Sequence, residues 1–133
     1  MRALFVATTS TTVYTFLLPF ACYLRERGHE IEFACSTQSF ADAPARVTEL
    51  RQAGFMVHEI PFARSIQPLS DLRAGLSLAR LIAANQYDLV NTHTSKAGFI
   101  GRIAAKAAGC PVVVHTAHDF FFRAYSDGFQ RRF

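Results

Sequence analysis

Asn91-Thr92-His93-Thr94-Ser95-Lys96-Ala97-Gly98 decides how this chain is read. The apolar pair Leu89-Val90 precedes it, and a helix-like run over 99–108 follows it. One unit later comes a partner stretch, Val112-Val113-Val114-His115-Thr116-Ala117-His118-Asp119-Phe120. Two neighbouring strands are therefore expected to end in imidazole and hydroxyl groups. In an open α/β sheet, ligands bind at the carboxyl ends of the strands. A site is expected where these two stretches stop.

Outward from that point the chain alternates. Residues 3–7 form a short apolar run closed by Thr8-Thr9-Ser10-Thr11-Thr12, which reads as a buried strand. Val13, Phe16, Leu17, Phe20, Ala21 and Leu24 recur at helical spacing; Gly28, after Arg25 and Arg27, reads as a helix stop. Pro19 lies inside that helix and is expected to kink it. Residues 31–35 read as a second strand. Asp42 is placed to cap a helix carrying Val47 and Leu50, with Pro44 in its first turn and Gly54 past its end. Residues 55–60 give a third strand, and 61–68 an irregular connection. Leu69, Leu72, Leu76, Ala79 and Ile82 make the stripe of the next helix. Residues 87–91 form a fourth strand. Ile100, Ile103, Ala104 and Ala107 make a further helical stripe stopped by Gly109, and 112–115 a fifth strand.

Short apolar strands in strict alternation with helices imply a parallel sheet covered on both faces. With right-handed crossovers this is an α/β, Rossmann-like, doubly wound sheet, expected in the order 3-2-1-4-5. The order reverses between strands one and four. The crevice there should be lined by residues 8–12, 93–96 and 116–120. There is no internal repeat, low-complexity tract or linker, so residues 1–133 are read as one domain.

Composition supports this reading. Of 133 residues, 50% are hydrophobic and 18% charged, which excludes a disordered chain. The net charge of +4 suits anionic partners such as nucleotides, phosphorylated lipids or an acidic membrane face, and specifies none of them. Cys22, Cys35 and Cys110 match neither a disulfide framework nor a zinc motif and read as reduced structural residues of a cytoplasmic protein. Residues 3–24 carry no charged side chain, but the threonine cluster divides them into halves too short to span a bilayer. The segment is read as strand, polar loop and helix. After the fifth strand, Phe120, Phe121, Phe122, Tyr125, Phe129 and Phe133 mix with Arg123, Arg131 and Arg132; such a tail is expected to leave apolar surface open to a partner or a membrane.

Several chemistries compete for the crevice. Gly98-Phe99-Ile100-Gly101 opens a helix after a strand, as in dinucleotide-binding reductases, where glycine lets backbone approach a pyrophosphate. Here Ser95 stands in place of the first glycine and no acidic residue ends the next strand. His93, His115 and His118 could converge on a metal, but His115 and His118 are three apart and can point to different sides, so no metal site is assigned. There is no Gly-x-Ser-x-Gly elbow and no paired carboxylate site. Anion binding is the preferred reading. Ser95 and Lys96 sit at the start of a helix, where amides and a cation both favour phosphate, and Thr8, Thr9, Ser10 and Thr11 open the first helix with hydroxyl donors. Simple capping by that cluster, and a solvated Lys96, stay open as alternatives.

These motifs, in this order, resemble the N-terminal domain of the family 4 glycosyltransferases of GT-B fold. The resemblance rests on Leu17-Leu18-Pro19, Leu24-Arg25-Glu26-Arg27-Gly28-His29-Glu30, Ile60-Pro61-Phe62-Ala63-Arg64-Ser65, Tyr87-Asp88-Leu89-Val90-Asn91-Thr92-His93-Thr94, Lys96-Ala97-Gly98 and Val114-His115-Thr116-Ala117-His118-Asp119-Phe120. It covers nearly the whole length. The resemblance implies transfer of a sugar from a nucleotide-activated donor, with retention at the anomeric carbon, to a sugar or lipid-linked acceptor in polysaccharide or glycolipid synthesis. The nucleotide sugar is then a substrate and no cofactor is expected. The N-terminal domain is expected to hold the acceptor, with Thr8 to Thr11, His93, Ser95, Lys96 and Thr116 around it and His118 reaching toward the donor sugar. Asp119 stands where the family commonly has glycine, and the glycines often found in the first loop are absent. The donor-binding C-terminal domain is expected from another part of the protein or a second subunit, so this chain alone is not expected to turn over. The expected setting is cytoplasmic, with peripheral contact at an anionic membrane face and no nucleic-acid partner. A non-catalytic glycolipid- or membrane-binding module is the alternative, and a NAD(P)-binding reductase or epimerase fragment the third reading.

Overall fold

The computed structural model describes residues 1–37 and 41–118. Its strands are β1 (Arg2–Thr9), β2 (Glu30–Ser36), β3 (Met56–Glu59), β4 (Leu89–His93) and β5 (Val112–Thr116). All pairings are parallel and the order is β3-β2-β1-β4-β5, as the sequence predicts. The aromatic and arginine tail lies outside the described residues.

The central strand β1 shows why the sheet needs cover on both sides. Leu4 and Val6 point into one cluster with Ala74, Leu78 and Ile82 of α4 (Pro68–Asn85) and Ala97, Ile100 and Ala104 of α5 (Ser95–Ala107). Ala3, Phe5 and Ala7 point the other way, onto Leu17, onto Ala21 of α2 (Leu18–Glu26) and onto Val47 and Leu50 of α3 (Ala43–Gln52). Side chains alternate in direction along a strand, so an unbroken apolar run is what a doubly covered strand requires.

The first helix resolves the Pro19 problem in its own way. A short α1 (Ser10–Thr12) passes into a π-helical stretch, Val13–Leu17, before α2 begins. Proline offers no N–H and its ring crowds the carbonyl four residues back. The widened turn, with the Leu18 N–H reaching the Val13 carbonyl, relieves that crowding just upstream of Pro19. Gly28, at φ 85°, closes the segment in the left-handed region that glycine adopts freely.

The helical stripes read from the sequence are partly corrected. On α4 the residues against the sheet are Ala74, Leu78 and Ile82, while Leu69, Leu72 and Leu76 are 77%, 59% and 48% exposed. Phe16, Phe20 and Ile103 are likewise exposed, whereas Val13, Leu17, Ala21, Ile100 and Ala104 are buried. These helices carry apolar residues on more than one face, so spacing alone does not select the buried one. Asp42 also departs from expectation: its carboxylate does not cap α3 but takes the Thr11 hydroxyl and pairs with Arg46.

At the amino end of the sheet, buried Glu32 accepts from Arg2 at 2.6 Å and Tyr87 at 2.5 Å and contacts His58 Nε2 at 2.7 Å. Burial alone would raise its pKa, but the bonds from Tyr87, His58 and Arg2 outweigh burial and hold it below the usual carboxylate range. The cluster lies at the opposite end of the strands from the crevice and ties β1, β2, β3 and the end of α4 together. The cysteines are free; burial pushes the Cys35 thiol up to about 12, where it is unreactive. Among the described residues, no helix is long and apolar enough to cross a membrane.

Candidate functional site

The topological switch falls between β1 and β4, and the loops after β1, β4 and β5 meet there. A cleft of about 270 Å³ opens between Thr12, Phe16, Thr94, Ser95, His115, Ala117 and His118. Ser95 and His118, both selected from the sequence, line this one cleft. His93, the last residue of β4, is buried directly behind them, with its Nδ1 2.9 Å from His118 Nε2 and the two rings stacked at 5.1 Å. Phe16 covers the His118 ring from the first helix at 5.5 Å. Burial, then the proximity of His118 and His115, pushes the His93 imidazole down to about 4, so it is neutral at physiological pH.

The β4–α5 corner is strained. Thr94 sits at φ 68°, ψ 163°, a region that only glycine occupies readily. Its hydroxyl is anchored by the Thr8 hydroxyl at 2.7 Å and the Thr8 N–H at 3.3 Å. The end of β1 thus holds the corner after β4 in place. Behind this corner α5 lies close to the sheet. A Cβ on Gly98 would stand 2.4 Å from His115 Cε1, and one on Gly101 2.7 Å from the Thr92 methyl. These two glycines, the remnant of a dinucleotide fingerprint in the sequence, are explained by helix–strand packing.

The hydroxyl cluster is largely spent on local structure. Thr9 caps α1 by accepting from the Thr12 N–H. Ser10 is fully buried and donates to the Ala43 carbonyl. Thr11 donates to Asp42, and Thr116 donates to Asn91 at 3.0 Å. Lys96 turns away from the cleft: its ammonium pairs with Asp71 at 2.8 Å and reaches the Ser65 carbonyl. That pairing, with a further bond from the Gln67 N–H, holds the Asp71 carboxyl below its usual range. The anionic half of the pair sits in the first turn of α4, which sequence spacing could not place beside Lys96.

Sequence reading expected Thr12 and Thr94 to line the crevice without selecting them as binding residues, and selected neither His115 nor Phe16. His115 packs against Gly98 and its Nδ1 lies 3.0 Å from the Thr92 hydroxyl. The available signal was the glycine three residues into α5, which marks a close neighbour. Among the described residues, no three His, Cys, Asp or Glu side chains are grouped to hold a metal ion. The neighbour of His118 in sequence, Asp119, lies outside the described residues.

The comparisons agree with this architecture. HepE of Anabaena, crystallised with UDP and glucose, superposes with a TM-score of 0.68 at 22% identity, over 99% of this chain and 34% of that one. MurG of Acinetobacter baumannii gives 0.65 at 20% identity, over 86% and 33%. In sequence, the Escherichia coli UDP-Gal:alpha-D-GlcNAc-diphosphoundecaprenol alpha-1,3-galactosyltransferase is 48% identical over 61 residues, 46% of this chain and 16% of that enzyme. EpsD of Bacillus subtilis (strain 168) is 29% identical over 123 residues, 91% of this chain and 30% of that protein. The chain therefore spans a third or less of the curated relatives it matches. The model of the glycosyl transferase 4-like domain matches residues 12–133. With that match over most of its length, the chain belongs to the glycosyl transferase 4-like domain family.

Proposed function

We propose that this chain is the acceptor-side half of a retaining, nucleotide-sugar-dependent glycosyltransferase that builds a polysaccharide or glycolipid. A donor-binding lobe, on the same polypeptide or a second subunit, completes the enzyme. The single observation that carries the reading is the His93–His118 pair at the carboxyl rim of β4 and β5, facing a cleft that a second lobe could close. The substrates named for the Escherichia coli relative, a uridine-diphosphate sugar and a diphosphoundecaprenol-linked sugar, indicate the class of donor and acceptor.

In this reading His118 hydrogen-bonds the donor sugar or the departing phosphate, where a fixed donor stabilises developing charge. Ser95, Thr12, Thr94 and His115 meet the acceptor, and Thr8 to Thr11 shape the acceptor-side loop. Lys96 acts through its pair with Asp71 and Thr116 through its bond to Asn91, both keeping the cleft's walls in register. The reductase reading has lost its main support, since Gly98 and Gly101 serve His115 and Thr92.

Contact with an anionic membrane face is part of the proposal. Between α4 and α5 lies an apolar groove of about 360 Å³ with Leu72, Leu76, Phe99 and Ile103 exposed along it. Arg73, Arg80, Arg102 and Lys106 stand exposed on the same two helices. Their only acidic residue, Asp71, is neutralised by Lys96. Apolar side chains among cations that form no ion pair among the described residues fit an acidic lipid surface, which is where a polyprenol-linked acceptor resides.

Joining this chain to a donor-binding lobe of the same family and assaying sugar transfer to a lipid-linked acceptor tests the proposal. Transfer should appear, and His118→Ala should lower it on the order of 100-fold. Transfer that is indifferent to His118 would contradict the assignment.

A further inference from the structure

We infer that His93 is a positioning residue that fixes the tautomer of His118, so that His118 turns an N–H donor rather than a lone pair toward the cleft. The inference rests on the reading of His118 as the sugar-facing group. The observations beneath it are geometric. His93 is 2% exposed, its Nδ1 lies 2.9 Å from His118 Nε2, and its own Nε2 is buried with no hydrogen-bond partner among the described residues. The Phe5 ring packs against it, 5.7 Å between ring centres.

Two neutral imidazoles can share that contact in two ways. If His118 donates from Nε2, the proton of His93 must sit on Nε2, and a buried N–H is left with no acceptor. If His93 donates from Nδ1, only a bare lone pair is left buried. Orphaned buried N–H groups are rarer in proteins than under-satisfied acceptors. The second arrangement is therefore favoured. His118 then accepts at Nε2 and carries its proton on Nδ1, away from His93 and free for a ligand.

The same accounting applies to His115. The Thr92 hydroxyl has one proton and the Val114 carbonyl, at 3.3 Å, can only accept, so both of its contacts are satisfied only when the hydroxyl gives that proton to the carbonyl. Its 3.0 Å contact with His115 Nδ1 is then an N–H donated by the imidazole. His115 is left with a lone pair on Nε2. Two imidazoles lining one cleft thus offer one donor and one acceptor. A hydroxyl, which accepts and donates at once, matches that pair; a bare phosphate oxygen matches only its His118 side. The ligand class this selects is a polyol such as a sugar.

The test is the nitrogen chemical shifts of the histidine rings in the isotopically labelled 133-residue chain at neutral pH. No sugar is needed, so failure here is separable from failure of the functional reading. The expected result is His118 and His115 both mainly protonated on Nδ1, with His93 unprotonated on Nε2. His93→Asn, which keeps a donor near the Nδ1 position, should preserve the His118 tautomer. His93→Phe, which keeps the ring and removes the donor, should shift His118 to protonation on Nε2. A merely structural His93 would leave the tautomer unmoved in both variants. Finding His118 protonated on Nε2 in the unmodified chain would overturn the inference, whether or not either variant folds.

Discussion

The hydroxyls of Thr8 and Thr94 lie 2.7 Å apart, joining the end of β1 to the strained corner after β4. Thr94 holds a backbone conformation that suits glycine, at a cost of about 1–3 kcal/mol, and the Thr8 contacts help to offset it. Thr94→Val removes the hydroxyl and keeps the strain, so it should lose about 1 kcal/mol of stability. Thr94→Gly removes both and should be near neutral. Chemical denaturation of the two variants checks this; equal losses would show that the corner is not strained.

Gly98 offers a second test. Alanine normally stabilises a helix interior relative to glycine by about 1 kcal/mol. Here the added methyl would meet the His115 ring, so Gly98→Ala should instead destabilise by about 1–3 kcal/mol. In a Gly98→Ala/His115→Ala pair the loss should be largely relieved, because the two positions touch. Additive losses in the double-mutant cycle would count against the packing described.

Acid sensitivity should reveal His93. Its ordinary value is 6.5 and burial brings it to about 4, with His115 and His118 the titratable groups beside it. Folding lowers its proton affinity, so the unfolded chain takes up more proton between those values. Stability is full above pH 6.5 and should fall by about 3 kcal/mol as pH drops toward 4. Glu32 and Asp71, whose carboxyls are held low, contribute above their unfolded values and lose that contribution only below about pH 4.5. The interval from 6.5 to 4.5 therefore belongs to His93 among these three. His93→Phe should flatten denaturation midpoints across it, and an unchanged slope would contradict the assignment.

The membrane face is testable by flotation with vesicles containing acidic lipid. Leu72→Glu with Leu76→Glu should abolish binding, and each of Arg73→Gln and Arg80→Gln should weaken it by about 1 kcal/mol, roughly fivefold. Binding that survives the double glutamate change would place the contact elsewhere.

The fold was legible because short apolar runs alternate with helices, most clearly in β1, whose residues 3–7 are all apolar and pack on both faces. The strand order followed from strict strand–helix alternation with right-handed crossovers. Which face of each helix is buried was less legible: Leu72, Leu76, Phe16 and Ile103 carry the same apolar signature as Leu78 and Leu17. The site was half legible. His93 stands out as a polar group ending a strand that opens apolar, and Ser95 and His118 each follow a strand end by two residues. The turning of Lys96 to Asp71 depends on a contact across 25 residues of chain that no local spacing encodes. The part played by His115 depends on the missing side chain of Gly98, which sequence alone reads equally well as a phosphate-binding turn.

The most direct measurement is binding of a soluble diphosphate-linked sugar acceptor to the 133-residue chain, followed through the ring resonances of His93, His115 and His118. The account predicts that the acceptor perturbs His115 most, with a smaller response at its neighbour His118, and that a nucleotide sugar added alone, without the donor-binding lobe, leaves all three in place. Tight binding of the nucleotide sugar with no response to the acceptor would contradict it.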